Sequence, residues 1–516
     1  MSFQRATISL QSVAPDLIPQ DAPPDVWNYA NNVVFKNGES SRVAGDAPTL
    51  PGATVGAGNP PRTIVFLGVV NSGYWVYATA TGIFAHDGTT ETEITPAAGW
   101  TISAGSTVTS CVMNGLVFIN SSDRDPVFWT GDTADLCAPL PDWPIDGRTT
   151  ALRSHKGFLF AIGFISEGKQ RVRWSDVAEV GEVPQSWTPA ADNLAGFVDL
   201  APLSSGCLEG HALRDSFLVY KGEGIWSFDF VGGNAVFAVR SLFHEHGIVN
   251  TNALTAGIDD VHLFVGSEGD IFITDGVSVK SVLDGRAQRT FAQDFTTNNA
   301  SVFAALTLAR EKQGAILFPT GGALSCDRAL VYDFVSGSIA FRDMPMVYCA
   351  AEGRSLQATT DLNDWDGDDE GWDTDQFSWS YGVPASSLDD ALIGGEFGFA
   401  IVSNRGTNDF ITGPVEAVIG KAGLSFGNPQ TRKTLARVWP KVTGETGQIL
   451  NFRMGGQEIT GGPVALGPIL PFVIGSNAPL DTFVQGRFVS MEISSRGGGA
   501  WSIGTIDVEI REAGKW

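Results

Sequence analysis

The sequence predicts an all-β fold built around a β-propeller, and two kinds of observation point to it. Sixty-one glycines, 26 prolines and 32 phenylalanines in 516 residues favour many short strands joined by tight turns over long helices. In addition, a unit of apolar strand, short loop and second apolar strand recurs through the first 350 residues. Its first clear copy, NSGYWVYATATGIFAHDG from Asn71, is followed by copies starting at Asn114, His155, Arg214, Asp259 and Lys312. Aligning the second strand of each copy gives Ile83, Val127, Val172, Ile225, Ile271 and Leu330, spaced by 44, 45, 53, 46 and 59 residues. That is the period of a propeller blade.

Each element has a physical reason. A lone four-stranded sheet cannot bury two apolar faces, whereas sheets arranged radially bury each face against a neighbour. Uninterrupted apolar runs such as FLFAIGF suit sheets covered on both sides. The six copies predict six blades, with a weaker seventh copy, EFGFAIVSNRGTNDFITG, starting at Glu396. Residues 64–85 carry no charge and have the length of a membrane span, but Asn71-Ser72-Gly73 places a turn at their middle, so they read as a hairpin. No membrane segment is expected.

Three regions follow. Residues 1–60, rich in Pro, Asn and Gly, read as an extended arm that could close the propeller or reach a neighbouring chain. Residues 61–414 form the propeller. From Val415 to Trp516 the character changes: ten basic and eight acidic residues stand against 23 and 49 in the preceding 414. The segments TLARVWPKV, QILNFRM, GRFVSMEISS and WSIGTIDVEIREA predict a C-terminal β-sandwich.

A net charge of −24 argues against a protein that clamps nucleic acid, since phosphate binding needs a basic face. Cys111, Cys137, Cys207, Cys326 and Cys349 are odd in number and lack a CxxC spacing, so they read as reduced core residues. The first twenty residues lack the apolar core and small-residue cleavage site of a signal peptide, which predicts synthesis in the cytoplasm.

The most conspicuous stretch is DLNDWDGDDEGWDTD, residues 361–375, with eight carboxylates and no cation. A calcium loop starting at Asp364 would have Asp366 and Asp368 in place, but its sixth position is Asp369 where glycine is needed and its twelfth is Asp375 in place of glutamate. Only looser calcium binding by Asp364, Asp366 and Asp368 would remain. A glycosidase pair needs a rigid frame and one raised pKa, which Asp364, Asp366, Asp368, Asp369, Glu370, Asp373 and Asp375, all mutually repelling, do not offer. The stretch therefore reads as an acidic loop facing solvent or a channel, anchored by Trp365, Trp372 and Trp379.

Other motifs are weaker. Gly423 to Gly427 matches GxSxG around Ser425, but no histidine follows His262 to serve it. His244 and His246 could share a strand face without an evident third ligand. Asn120 and Asn299 sit in glycosylation sequons that matter only after secretion. Arg432, Lys433, Arg437 and Lys441 form a basic run that could meet an acidic partner or a phosphate backbone. No cofactor motif appears and no enzymatic role is predicted.

The order of these features resembles the tail nozzle, or packaged-DNA stabilisation, proteins of short-tailed bacteriophages. The resemblance is carried by DVWNYANNVVFKNGESSRVAGD, with Asn32, Gly38 and Gly45 marking its pattern, and by RVRWSDVAEVGEVPQSWTPAADNLAGFVDL at 171–200. It continues through WDGDDEGWDTD, TGPVEAVIG and TRKTLARVWPKV, in the family's order. Asp366-Gly367 and Asp373-Thr374 depart from the family's repeated Trp-Asp-Asp-hydrophobic units. The resemblance implies a structural virion protein, a homo-hexamer below the portal and adaptor rings. It would touch the adaptor and the tail fibre or tailspike proteins, around a channel that double-stranded DNA crosses without specific binding. A lumen lined with carboxylates would repel phosphate. The competing reading is a carbohydrate-binding or carbohydrate-degrading propeller that uses residues 361–379. A calcium-stabilised adhesin is a third.

Overall fold

In the computed structural model, residues 4–515 are described, apart from 37, 70–71, 202, 295–301, 355–388, 403–408 and 477. Among the described residues seven sheets form a closed propeller. Blade 1 comprises Thr63–Val69, Ser72–Ala78, Ile83–His86 and Glu91–Glu93; blade 2 comprises Val108–Met113, Leu116–Ser121, Val127–Trp129 and Ala138–Pro139. Blade 3 runs from Thr149–His155 through Phe158–Phe164 and Arg171–Trp174 to Gly196–Asp199, and blade 4 from Cys207–Leu213 through Ser216–Lys221 and Ile225–Phe230 to Phe237–Phe243. Blade 5 is Leu254–Ala256, His262–Val265, Ile271–Thr274 and Val279–Ser281. All pairings within these blades are antiparallel, and the chain passes from the axis outward in each.

The last two blades share a strand. Ile339–Arg354 pairs over its first half with Cys326–Asp333, completing blade 6 behind Ala304–Leu308 and Gln313–Phe318. Its second half, from Val347, pairs with Asp389–Gly395 and becomes the innermost strand of blade 7. Gly398–Val402 follows, and the outermost strand of blade 7 is Asp46–Thr49, from the start of the chain. The ring closes where this inner strand meets Thr63–Val69: the Trp75 indole donates to the Arg354 carbonyl at 3.2 Å.

The core lies between blades rather than within them. Val76, Ile83, Val117 and Trp129 fill the gap between blades 1 and 2; Phe160, Val172, Phe217 and Trp226 fill that between blades 3 and 4. Trp75, Tyr77, Leu392 and Phe399 seal blade 7 against blade 1. All six aligned repeat positions are buried in the third strand of their blades, and the weaker copy from Glu396 supplies the third strand of the seventh. The hairpin ends match the turn chemistry: Asn114 and Gly115 have φ of 55° and 83°, as a two-residue type I′ turn requires.

The residues expected to form an arm are woven into both domains. Val33–Lys36 and Glu39–Arg42 extend the sandwich sheet that holds Leu480–Gly486, Thr431–Gly444 and Trp501–Lys515, and Gln4–Ser9 pairs with the last of these. Tyr29–Asn31 pairs with Glu416–Leu424 in the second sheet, beside Phe488–Arg496 and Ile449–Gln457. Ile8, Leu10, Val13, Trp27, Val33 and Phe35 are buried in a core that also contains Leu435, Ile506 and Val508. The sandwich is therefore built from 4–42 together with 416–515, and the propeller includes 46–49.

Asn32 sits at the joint. Fully buried at φ 55°, it donates to the Asp343 carboxylate (2.7 Å) and the Glu416 carbonyl (2.7 Å), and its own Oδ1 accepts from the Asp343 amide. One residue thus ties the N-terminal segment to blade 6 and to the sandwich. At Gly45 a Cβ would fall 2.0 Å from the Asp409 carbonyl oxygen, so only glycine fits that approach. Next to it, the fully buried Asp46 carboxylate pairs with Arg342, whose guanidinium also lies over the Phe410 ring.

Arg342→Met leaves the Asp46 carboxylate buried without a counter-charge and is expected to cost about 3–5 kcal/mol in urea unfolding. Adding Asp46→Leu is expected to recover most of that loss. Equal stability of the single variant and the native chain would remove this pair from the latch.

Candidate functional site at the propeller axis

Seven inner strands converge on the axis, and those of blades 1 to 6 belong to separate sheets. Side chains bridge them instead. Arg153 in blade 3 donates to Glu209 in blade 4 through Nε (2.8 Å) and Nη2 (2.7 Å), to the Ser110 carbonyl of blade 2 (3.0 Å) and to Asn252 Oδ1 beside blade 5 (3.0 Å). Glu209 also accepts from the Gly210 and Asn252 amides at 2.9 and 2.8 Å. Burial alone would raise the Glu209 pKa; the Arg153 charge and these hydrogen bonds outweigh it and hold the carboxyl below its usual range.

Hydroxyls continue the belt. Thr63 and Ser110 join blades 1 and 2 at 2.7 Å, and Thr255 and Thr307 join blades 5 and 6 at 3.0 Å. The Thr307 amide donates to Glu352 of blade 7 at 2.6 Å. The belt encloses a cavity of about 430 Å3, walled by Arg62, Ser154, His211 and Glu352 as well. That volume falls in the range of small-molecule pockets, about 300–1,000 Å3.

His211 of the wall is backed by a second histidine, His262. His262 Nε2 donates to the Ala212 carbonyl (2.9 Å), and its Nδ1 accepts from the Tyr220 hydroxyl (2.8 Å). The His211 ring meets it edge-on at 5.3 Å. Burial pushes His262 down to about 3, so it is neutral at physiological pH.

The acidic residues Asp364, Asp366, Asp368, Asp369, Glu370, Asp373 and Asp375, with Trp365, Trp372 and Trp379, lie outside the described residues, between the first and second strands of blade 7. The basic run lies on Thr431–Gly444 and its members have partners within the chain. Arg432 pairs with Glu458, Arg437 with Asp481 (2.9 Å) and Lys441 with Asp507 (3.3 Å). Lys433 is buried and donates to the Asn428 and Arg487 carbonyls. Ser425 follows one strand and precedes another, without the helix of a nucleophile elbow. His244 packs on Trp226 while His246 pairs with Glu268, so the two do not converge. Asn120 is buried and donates to the Thr149 carbonyl; Asn299 is outside the described residues. All five cysteines are free and buried. Among the described residues no group of three His, Cys, Asp or Glu side chains could hold a metal ion, and no helix is long and apolar enough to cross a membrane.

Sequence reasoning missed the axial set: Arg62, Arg153, Glu209, His211, Asn252 and Glu352. The signal that could have found Arg153, Glu209, His211 and Glu352 is a charged or imidazole side chain inside the first strand of a repeat whose other strands are apolar; Arg62 and Asn252 lie just ahead of their strands and carry no such signal.

Because folded His262 refuses a proton that the unfolded chain accepts near pH 6.5, stability is expected to fall as pH drops below that value. From pH 8 to pH 5 this residue contributes a loss of about 2 kcal/mol. His262→Phe is expected to flatten the acid limb of a plot of unfolding free energy against pH; an unchanged slope would refute the assignment.

No family model matches the chain, and no curated protein compared with it matches either. Among solved structures it is similar to the WD40 β-propeller domain of Doa1, at 12% identity over 69% of this chain and 96% of that one, with a TM-score of 0.38. It is also similar to the β-propeller domain of Myceliophteria thermophila Cps50 (Swd1), at 8% identity over 60% and 92% with a TM-score of 0.37. A third likeness is to the AfRom2 CNH domain, at 10% identity over 68% and 96% with a TM-score of 0.36. These likenesses concern fold alone; the strand pairing of this chain is what makes it a β-propeller with a second, composite β domain.

Proposed function

We propose that this chain is a structural, non-enzymatic virion protein: a subunit of the tail nozzle ring of a short-tailed bacteriophage, retaining packaged DNA and guiding its ejection. The observation that carries this reading is where the resembling residues fall. The N-terminal motif is the segment that knits propeller to sandwich, with Asn32 bonded to both and Gly45 at an approach that excludes a side chain. The resemblance therefore rests on residues that build the architecture.

Charge supports the same reading. Residues 46–414 carry 20 basic and 45 acidic side chains, a net −25, so a surface made of propellers repels a passing duplex. On this reading the genome passes between copies arranged around a ring. A cavity of about 430 Å3, lined by the Arg153–Glu209 pair, is far too small for duplex DNA.

Mass spectrometry of purified particles from the source is expected to find about six copies of this chain per particle, as a cyclic ring component would give. Its absence from particles would discard the reading. In particles that contain it, replacing Asp364, Asp366, Asp368 and Asp369 with Asn is expected to slow or truncate genome ejection. Unchanged ejection would take the acidic stretch away from the lumen.

A further inference from the structure

At the axis Arg153 and Glu209 are committed to each other and Glu352 accepts from the Thr307 amide, and Arg62 stands apart from them. It stands just before the inner strand of blade 1 and lines both the axial cavity and a smaller recess of about 40 Å3 formed with Thr107, Thr251 and Tyr348. Its side chain has no hydrogen-bond or ion-pair partner among the described residues, and its Nε is buried without an acceptor. The guanidinium lies 5.8 Å above the Tyr348 ring, whose hydroxyl donates to Glu396 (3.0 Å), so the platform beneath it is held in place. By contrast, Arg153 spends its donors on Glu209, Ser110 and Asn252.

An acceptor faces the same cavity. His211 Nδ1 donates to the Ala212 carbonyl at 3.1 Å, which leaves the Nε2 lone pair available to a hydroxyl donor. The remaining walls mix the hydroxyls of Thr63, Ser110, Ser154 and Thr255 with apolar side chains such as Ile64, Phe217 and Leu254, which suits a ligand with both polar groups and C–H faces. Two carboxylates, Glu209 and Glu352, share the space. They disfavour a dianion such as a phosphate monoester more than a monoanion, while the planar guanidinium fork matches a carboxylate.

We propose that the axial cavity binds a small hydroxylated monocarboxylate of the sugar-acid class, with its carboxylate on Arg62 and a hydroxyl on His211. The site is independent of the virion role: a chain absent from particles could still bind such a ligand, and a nozzle subunit could carry it.

The test is isothermal titration of the full chain with D-glucuronate, D-glucose and D-glucose 6-phosphate. Saturable one-site binding of glucuronate is expected, with at least tenfold weaker binding of the other two. Arg62→Gln is expected to weaken glucuronate binding at least tenfold while leaving the ligand-free melting temperature unchanged, and Arg62→Lys to retain part of the affinity. Absence of saturable glucuronate binding overturns the site. Binding that survives Arg62→Gln overturns its placement, and equal binding of the phosphate overturns the ligand class. If Arg62→Gln melts early, loss of binding in Arg62→Lys at unchanged melting temperature supports the site, and full retention there overturns the need for a guanidinium.

Discussion

Ring closure is the constraint on which the rest of this structure depends. Every blade exposes two apolar faces, and each is covered only if a neighbour stands on both sides. Seven sheets meet that condition because the strand Ile339–Arg354 changes partners midway, ending blade 6 and starting blade 7 without a break. The outermost position of blade 7 is then filled by Asp46–Thr49, from the other end of the propeller sequence. Such a latch makes closure a long-range event: blade 7 is complete only when segments separated by some 350 residues have met. The buried Asp46–Arg342 pair fixes the register of that meeting, because a slip by one residue would leave a charge in the core without its partner.

Closure also dictates the chemistry of the axis. The inner strands of blades 1 to 6 belong to separate sheets, and polar side chains bridge them. The Arg153–Glu209 pair and the threonine and serine hydroxyl contacts form a belt that links neighbouring blades from the inside. Apolar residues there would leave inner-strand amides and carbonyls, such as the Thr307 amide and the Ser110 carbonyl, without partners. A polar axis inside an apolar propeller is thus a result of geometry. The same geometry creates a cavity whose walls carry fixed donors and acceptors.

The two domains are mechanically one body. The N-terminal segment crosses both sheets of the sandwich before it reaches blade 7, and a single buried core runs from Trp27 and Val33 through Leu435 and Ile506 to Leu263 and Phe264 of blade 5. Lys421 fastens the N-terminal segment to the rest of the sandwich, donating to the Pro23 and Val26 carbonyls; burial lowers its pKa to about 8. A joint built from one continuous segment and a shared core resists rotation between the two domains better than a linker does.

By itself the sequence determined the propeller. Ile83, Val127, Val172, Ile225, Ile271 and Leu330 recur at blade spacing because each must be buried at the same depth in its own sheet, and the weaker copy from Glu396 is the third strand of a seventh blade. The buried cysteines were equally legible, since lone thiols without a spacing pattern behave as small apolar groups. Only the tertiary structure decided the course of the first fifty residues. Tyr29–Asn31 pairs with Val418 to Gly420, and strands of two to four residues have too little periodicity to announce partners so distant in sequence. The axial cavity was hidden for the same reason. Arg62, Arg153, Glu209 and His211 are single residues in separate repeats, and they become a site only when ring closure brings their blades to a common axis.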